Sequence, residues 1–263
     1  MTSIPALLTA LANNALDEIV VANGIYHVSG AAAKGPNSLW IGAKFASRTR
    51  PILVRAETNG GVTFTSDGSY FGAISFQEGA HDQTWQGFRF AYGAPMESGV
   101  IMFGGYADKV GAHHITLRNI TVDHVGNAAD PRGHVVYFSH SIGGSHDILI
   151  DGFTVDDSLG GVKSALHFYH SESGAVNAWN VTVRNMRVTG TRLFAIVVWD
   201  STAANIVVED STITGAKGWA VRFEEPGQLT LRRVTSTGSV SGGFYSSLGA
   251  NPPGTKFDNV SLR

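Results

Sequence analysis

Histidine, tyrosine, lysine and arginine side chains recur in the middle of the chain, and their types match one kind of acid–base chemistry. A neutral histidine or a tyrosine can remove a proton, a tyrosine can return one, and lysine or arginine can hold a carboxylate. β-Elimination from a uronic acid requires these three roles. We therefore predict that the catalytic residues are His167, Tyr137, Tyr169, Arg222 and Lys163. The alternative interpretation is a solvated polar ladder without catalytic function.

Aromatic, cationic and polar residues near these positions are candidates for binding a substrate. They are Trp199, Arg132, Arg192, Ser139 and Glu224. Three long loops, at 106–114, 124–133 and 156–163, would wall a groove beside them. Such a groove fits an extended, acidic sugar chain. Bulky aromatic residues that guard against edge-to-edge aggregation are the alternative role for Trp199 and Tyr169.

A second group of polar residues recurs at intervals of 25 to 30 residues along the chain. It consists of His140, His170, Asp200 and Glu225. If consecutive segments stack about 4.8 Å apart, two or three of these residues could share a divalent metal ion. Ca²⁺ would prefer the oxygen ligands Asp200, Glu224 and Glu225. In the alternative interpretation, the group is a ladder of turns in which each side chain satisfies backbone groups.

An internal repeat indicates the elements that position these residues. Seven segments align without gaps, from FGAISFQE and SGVIMFGG to GWAVRFEE and SGGFYSSL. The segments share an apolar position that recurs every 23 to 35 residues. It is occupied by Ile74, Ile101, Val136, Leu166, Ile196, Val221 and Phe244. Two residues later stand Phe76, Phe103, Phe138, Phe168, Val198, Phe223 and Ser246. Columns of this kind are expected where side chains stack from one coil to the next.

A second repeat follows each of these segments and predicts a tight turn. One of its columns contains Asn119, Gly152, Asn185, Asp210, Arg233 and Asn259. Apart from Arg233, these residue types tolerate left-handed backbone geometry. Two packed antiparallel sheets with many hairpins are the alternative to stacked coils.

The composition excludes several classes of protein. The chain has 263 residues, 43% of them hydrophobic, with 32 Gly, no Cys and a formal net charge of −2. This composition argues against a disordered chain, a disulfide scaffold and a nucleic-acid-binding protein held by a basic field. No apolar run approaches the roughly 18 residues of a membrane span. Apolar residues at helical spacing predict a capping helix over about 4–16.

Taken together, the repeats resemble a right-handed parallel β-helix of the pectate-lyase-like superfamily. The segment DEIVVANGIYHV is similar to the first-coil phrase of polysaccharide lyases such as chondroitinase B and the alginate lyases. The resemblance implies one all-β domain over residues 1–263 and a polysaccharide lyase that acts on a uronic-acid-containing chain. It also implies an extracellular protein, although no signal peptide begins this sequence and a cytoplasmic location stays open. Because Lys163 precedes its strand, whereas the family's lysine base lies near the strand end, no catalytic residue is transferred.

Two other functions fit the same sequence. A β-helical glycoside hydrolase would need two carboxylates, and Asp200 with Glu224 or Glu225 could supply them. A non-catalytic module that binds carbohydrate, like an adhesin or tail spike, needs none of the acid–base groups. The last segment, KFDNVSLR, has no capping helix after it. We expect its edge to be covered by the preceding loop, by a second subunit or by further C-terminal sequence.

Overall fold

The computed structural model describes most of the chain. The residues described are 1–29, 37–65, 73–91, 99–104, 106–123, 125, 133–139, 141–157, 160–169, 177–250 and 252–263. The predicted Arg132, His140 and His170 lie outside these residues. No helix among the described residues has the length and apolar character needed to span a membrane.

Two large sheets form the molecule. The fourteen-stranded sheet contains β1 (Glu18–Val21), β2 (Gly24–His27), β4 (Ile52–Ala56), β5 (Val62–Thr65), β7 (His81–Gln86), β8 (Phe88–Ala91), β11 (His113–Asp123), β14 (Ser145–Asp156), β16 (Ala178–Arg184), β17 (Arg187–Thr189), β19 (Ala204–Thr214), β21 (Leu229–Thr237), β23 (Thr255–Asp258) and β24 (Ser261–Leu262). The eight-stranded sheet contains β3 (Leu39–Ile41), β6 (Ile74–Phe76), β9 (Gly99–Phe103), β12 (Gly133–Phe138), β15 (Val162–Tyr169), β18 (Phe194–Trp199), β20 (Trp219–Phe223) and β22 (Gly242–Ser246). A separate pair joins β10 (Tyr106–Val110) to β13 (Ser141–Ile142).

The chain alternates between the two large sheets and returns to each in parallel, which makes the fold a parallel β-helix. Every strand pairing among the described residues is parallel. The alternative of antiparallel hairpins is therefore wrong. Connections between neighbouring parallel strands are right-handed in nearly all proteins.

The apolar columns set the register of the eight-stranded sheet, as predicted. Val136 pairs with Ile101 on one side and with Leu166 on the other. Beside them the phenylalanine rings stack through the core. Phe103 and Phe138 have centroids 4.8 Å apart, and Phe138 and Phe168 have centroids 4.6 Å apart, with nearly parallel planes. All three rings are fully buried, so one slipped register would expose a whole row of aromatic side chains.

The predicted turn column is confirmed. All six of its residues have positive φ, including Arg233 at 49°. A second left-handed column, not foreseen from the sequence, consists of Asp82, His114, Asp147, Asn180 and Asn205. These bends let β11, β14 and β19 turn within a single strand and enclose the core.

The amino-terminal cap is a helix, α1 (Ile4–Leu11), that is shorter than predicted. Ser3 accepts a hydrogen bond from the backbone of Ala6, and Pro5 occupies the first turn. The helix ends before residue 16 because the Asn13 side chain accepts the amide of Ala15 in a local turn. Its buried face, formed by Ile4, Leu7, Ala10 and Leu11, closes the first coil.

Candidate active site

Two histidines on neighbouring strands lie in contact on the outer face of the eight-stranded sheet. His134 of β12 and His167 of β15 have ring centroids 4.2 Å apart. Nδ1 of His167 lies 3.0 Å from Nε2 and 3.1 Å from Nδ1 of His134. Nδ1 of His134 also lies 2.5 Å from Oγ of Ser164, its register partner on β15. The result is a hydrogen-bonded chain, Ser164–His134–His167, that crosses from one coil to the next.

Both imidazoles are uncharged at neutral pH. His134 is 5% and His167 is 6% exposed. Burial, followed by the nearby Lys163 ammonium, lowers the pKa of His167 to about 3. Burial, then His167 and then Lys163, hold the pKa of His134 well below its ordinary value. Each ring therefore has one nitrogen that carries no proton throughout the neutral range.

Two tyrosines flank the histidine pair. The Tyr137 ring stacks on His134 with centroids 5.2 Å apart and meets His167 edge-on at 5.2 Å. Tyr169 lies 5.6 Å from His167 and 6.2 Å from Tyr137. Burial, followed by repulsion from Tyr169, raises the pKa of Tyr137, against which a hydrogen bond from Ser139 acts. Tyr137 is therefore a protonated phenol throughout the neutral range.

The glycine at position 99, on the preceding coil, makes room for Tyr137. A Cβ atom at Gly99 would lie 2.6 Å from the Cβ of Tyr137, closer than real Cβ atoms approach. Gly99 pairs with His134 in the sheet. A larger residue at position 99 would displace the tyrosine that stacks on the histidine pair.

A small recess, called here the site recess, opens beside the histidines. Its lining consists of His134, Lys163, His167, Phe194, Val197, Trp199 and Arg222. Nε2 of His167 is buried and has no hydrogen-bond partner among the described residues. Trp199 is 45% exposed and meets Tyr169 edge-on with centroids 6.0 Å apart. The recess thus combines a bare ring nitrogen, two cations and an exposed aromatic surface.

The two cations have different surroundings. Nε of Arg222 donates to a carboxylate oxygen of Glu224, and its guanidinium lies 4.8 Å above the Phe194 ring. Lys163 is half-buried, and burial followed by Arg222 lowers its pKa. No carboxylate among the described residues contributes to the electrostatics of Lys163. Lys163 is therefore the cation that an incoming anion can neutralise.

The structure brings all five predicted catalytic residues together. Their face is less open than the predicted groove, because the residues that alternate with the core positions of this sheet are mostly buried as well. Ser75, Met102, His167 and Val197 are at most 6% exposed. Among the described residues, this face has a small recess with Trp199 at its surface. Most of the loop at 124–133, which is predicted to wall a groove, lies outside those residues.

The remaining predicted binding residues have structural partners. Ser139 is buried and hydrogen-bonds Tyr137, and Glu224 pairs with Arg222. Arg192 precedes β18, and its amide donates to the carbonyl of Val162. None of the three therefore lines the site recess.

Two of the four predicted metal ligands, His140 and His170, lie outside the described residues. Asp200 is fully buried, and its Oδ1 accepts hydrogen bonds from the amide and hydroxyl of Thr202, both at 2.7 Å. Glu225 accepts the amide of Ser201 at 3.1 Å. Within the described part of the chain, no three His, Asp or Glu side chains are arranged to hold a metal ion.

Sequence reasoning missed His134 and Ser164. The register of β12 against β15 shifts between Gly133 and His134, so that Lys163 of β15 has no register partner on β12. The segment GHVVYFSH contains the histidine, but no pattern in it indicates the shift. The glycine that precedes His134 is the one available signal.

Neither protein-family models nor curated protein sequences match this chain. Among solved structures, the A-module of the Azotobacter vinelandii mannuronan C-5 epimerase is 10% identical, with a TM-score of 0.40 over 98% of this chain and 90% of that chain.

Two glucanases give similar matches. The catalytic domain of a GH87 α-1,3-glucanase variant in complex with nigerose is 13% identical, with a TM-score of 0.34 over 98% of this chain and 67% of that chain. The GH87 α-1,3-glucanase of Streptomyces thermodiastaticus is 14% identical, with a TM-score of 0.28 over 99% and 66% of the two chains. This chain thus spans about two thirds of the glucanase chains. Similarities this distant carry no inference about activity.

Proposed function

We propose that this protein is a carbohydrate-active enzyme, a polysaccharide lyase that cleaves a uronic-acid-containing chain at the site recess. One observation carries the proposal. The uncharged His167 presents an unpartnered Nε2 next to Lys163, a half-buried cation with no carboxylate partner among the described residues. A base beside a cation that can bind the substrate carboxylate is what removal of the C5 proton of a uronate requires. An acidic polysaccharide substrate also favours an extracellular location.

The proposed reaction assigns a role to each of the five predicted catalytic residues and to Trp199. Lys163, assisted by Arg222, binds the substrate carboxylate and stabilises the negative charge that develops on it. Nε2 of His167 takes the C5 proton, and the electron pair of the broken C5–H bond forms the C4–C5 double bond. The C4–O bond then breaks, and the leaving oxygen takes its proton from Tyr137. Trp199 and Tyr169 provide the surfaces against which sugar rings pack.

Substrate binding would strengthen the base. The positive charge of Lys163 is the second cause that lowers the pKa of His167. A bound uronate carboxylate cancels that charge, so the basicity of His167 rises when an acidic sugar arrives. A neutral glycan lacks this effect, and it leaves Lys163 buried without a partner.

A glycoside hydrolase is less well supported by the same geometry. The Asp200 carboxylate is fully buried, and one of its oxygens caps Thr202. Glu224 is paired with Arg222, and neither acid lines the site recess. Two carboxylates on opposite sides of a glycosidic bond are therefore not found among the described residues of the recess.

The decisive experiment is incubation with a panel of polyuronates and neutral glycans while the ultraviolet absorbance of the unsaturated product is followed. We expect absorbance to rise with at least one polyuronate and with no neutral glycan. Lys163→Met should raise KM for that substrate at least tenfold, whereas Lys256→Met, an exposed lysine on β23, should not change it. Release of reducing ends from a neutral glycan would show that the protein is a hydrolase and not a lyase. Binding of a polyuronate without turnover would replace it with a carbohydrate-binding module.

A further inference from the structure

The contacts of His167 decide which of its ring nitrogens carries the proton. Nε2 is buried and has no partner among the described residues, whereas Nδ1 lies 3.0 Å from Nε2 of His134. A buried N–H without an acceptor is rarer in proteins than a buried lone pair without a donor, because the lost hydrogen bond is costly. The proton of neutral His167 therefore belongs on Nδ1, and Nε2 is left as a bare lone pair.

The same reasoning fixes the proton of His134. Nδ1 of His167 lies 3.0 Å from Nε2 and 3.1 Å from Nδ1 of His134, but only Nδ1 of His134 has a second partner that can accept a proton. We therefore assign Nε2 of His134 as the acceptor and place the single proton of this neutral ring on Nδ1. That atom lies 2.5 Å from Oγ of Ser164, which has 0% exposure and is available as an acceptor. A hydroxyl oxygen has two lone pairs and can accept while it donates elsewhere. The order of donation is thus His167 to His134 to Ser164.

We propose that Ser164 and His134 are positioning residues that hold His167 in its Nδ1–H tautomer, so that Nε2 is the base of the reaction. The catalytic part of this inference rests on the proposed function, but the tautomer does not. His134 is not solely a scaffold, because its Nε2 can receive the Nδ1 proton of His167 when Nε2 of His167 is protonated. Two buried rings thereby share one positive charge, which a single buried imidazole would carry less readily.

The surroundings favour one shared proton and disfavour two. The groups that face the pair are the cations Lys163 and Arg222 and the phenols Tyr137 and Tyr169. None of these side chains is a carboxylate, so a second proton on the pair would have no counter-charge among them. The pair is therefore expected to titrate as a single base.

The tautomers of His134 and His167 can be determined by NMR without any substrate. In protein labelled with ¹⁵N-histidine, the nitrogen chemical shifts at pH 7 distinguish a protonated from a bare ring nitrogen, and His134→Gln and His167→Gln variants assign the signals. We expect Nδ1–H for both residues. Ser164→Ala removes the acceptor for His134 and should move both protons to Nε2, whereas Ser75→Ala, a buried serine elsewhere in the same sheet, should move neither. A wild-type His167 with its proton on Nε2 would overturn the inference.

Kinetics with a polyuronate test the consequence for catalysis. Ser164→Ala should lower kcat about tenfold at unchanged KM, the effect of losing one ordinary hydrogen bond that biases a tautomer. Ser164→Thr restores the hydroxyl and should restore both kcat and the tautomer. Wild-type kcat in Ser164→Ala, with the tautomers changed, would contradict the positioning role. If no polyuronate is turned over, the proposed function fails, and the spectra still accept or reject the tautomer assignment.

Discussion

Nδ1 of His167 lies 3.0 Å from Nε2 of His134, although 33 residues separate them in the chain. The separation is one coil of the β-helix, so side chains far apart in sequence meet at the spacing of adjacent strands. Neither ring meets a carboxylate in this contact, and both are uncharged at pH 7 because they are buried. The proposed base is therefore kept uncharged without an acidic partner.

Replacement of His167 tests the base directly. His167→Gln keeps a polar side chain of similar size but cannot accept the C5 proton, so kcat on a polyuronate should fall about 10²- to 10⁴-fold. His114→Gln is the matched control, because this histidine of the fourteen-stranded sheet is 55% exposed and distant from the recess. Initial rates measured from product absorbance would decide the question. Full activity in His167→Gln would assign the chemistry to another residue.

Trp199 is predicted to affect binding more than chemistry. Because its ring is 45% exposed and packs edge-on against Tyr169, removal leaves no cavity in the core. Trp199→Ala should raise KM about five- to tenfold through the loss of an aromatic surface, with kcat and the urea midpoint unchanged. Trp199→Phe should recover most of the affinity. Unchanged KM in the alanine variant would show that the sugar chain does not cross this surface.

Acid should destabilise the fold before ordinary carboxylates protonate. The folded state lowers the pKa of His113, His134 and His167 below the unfolded value of about 6.5, so the unfolded chain binds more protons below that pH. His167, with its pKa near 3, stays neutral and costs about 2 kcal/mol of stability between pH 7.5 and pH 5, and His113 and His134 act in the same direction. Asp157 acts in the opposite direction, because burial raises its pKa to about 6 and the folded state then takes up the proton.

Urea unfolding at pH 7.5 and pH 5 measures the net effect of these groups on the free energy of unfolding. We expect a lower midpoint at pH 5, since three histidines oppose one carboxyl group. The double variant His134→Gln, His167→Gln should lose much of the pH dependence whatever its absolute stability. An equal or higher midpoint at pH 5 in the wild-type protein would contradict the assignment of neutral, buried histidines.

The fold was more predictable from the sequence than the site was. Stacked coils repeat the same requirement on each turn, so columns such as Ile101, Val136 and Leu166 reveal the register without any structure. Left-handed corners favour Asn, Gly and Asp, so the turn column that runs from Asn119 to Asn259 can also be recognised in the sequence. Arg233 departs from this column in residue type and still adopts φ of 49°, since its neighbours fix the bend.

The site depends on features that occur once. His134 meets His167 beside a single register shift, and Gly99 clears space for Tyr137 at a single position. A pattern repeated on each coil cannot indicate either feature. The burial of His167 likewise follows from packing around the outer face, whereas the alternation of the strand places it only on the side away from the core.

The amino-terminal cap depends on one buried arginine. Arg48 is 3% exposed, and its Nη atoms donate to the carbonyls of Leu11, Asn13 and Leu16 at 2.8 to 3.0 Å. These carbonyls belong to the end of α1 and the turn after it, where helix acceptors lack internal partners. The Asn13 carbonyl also accepts the amide of Leu16, so Arg48→Met removes the donor mainly from the carbonyls of Leu11 and Leu16 and should destabilise the protein by about 3 kcal/mol.

A neighbouring arginine provides the control for this substitution. Arg50 has a side chain that is 54% exposed and pairs with Asp17 at the surface, so Arg50→Met should cost less than about 1 kcal/mol. Equilibrium urea unfolding of both variants gives the two values. The cap is expected to detach locally in Arg48→Met, which faster amide exchange over residues 4–16 would report. Equal stability of the two variants would mean that the apolar face of α1 holds the cap without the arginine.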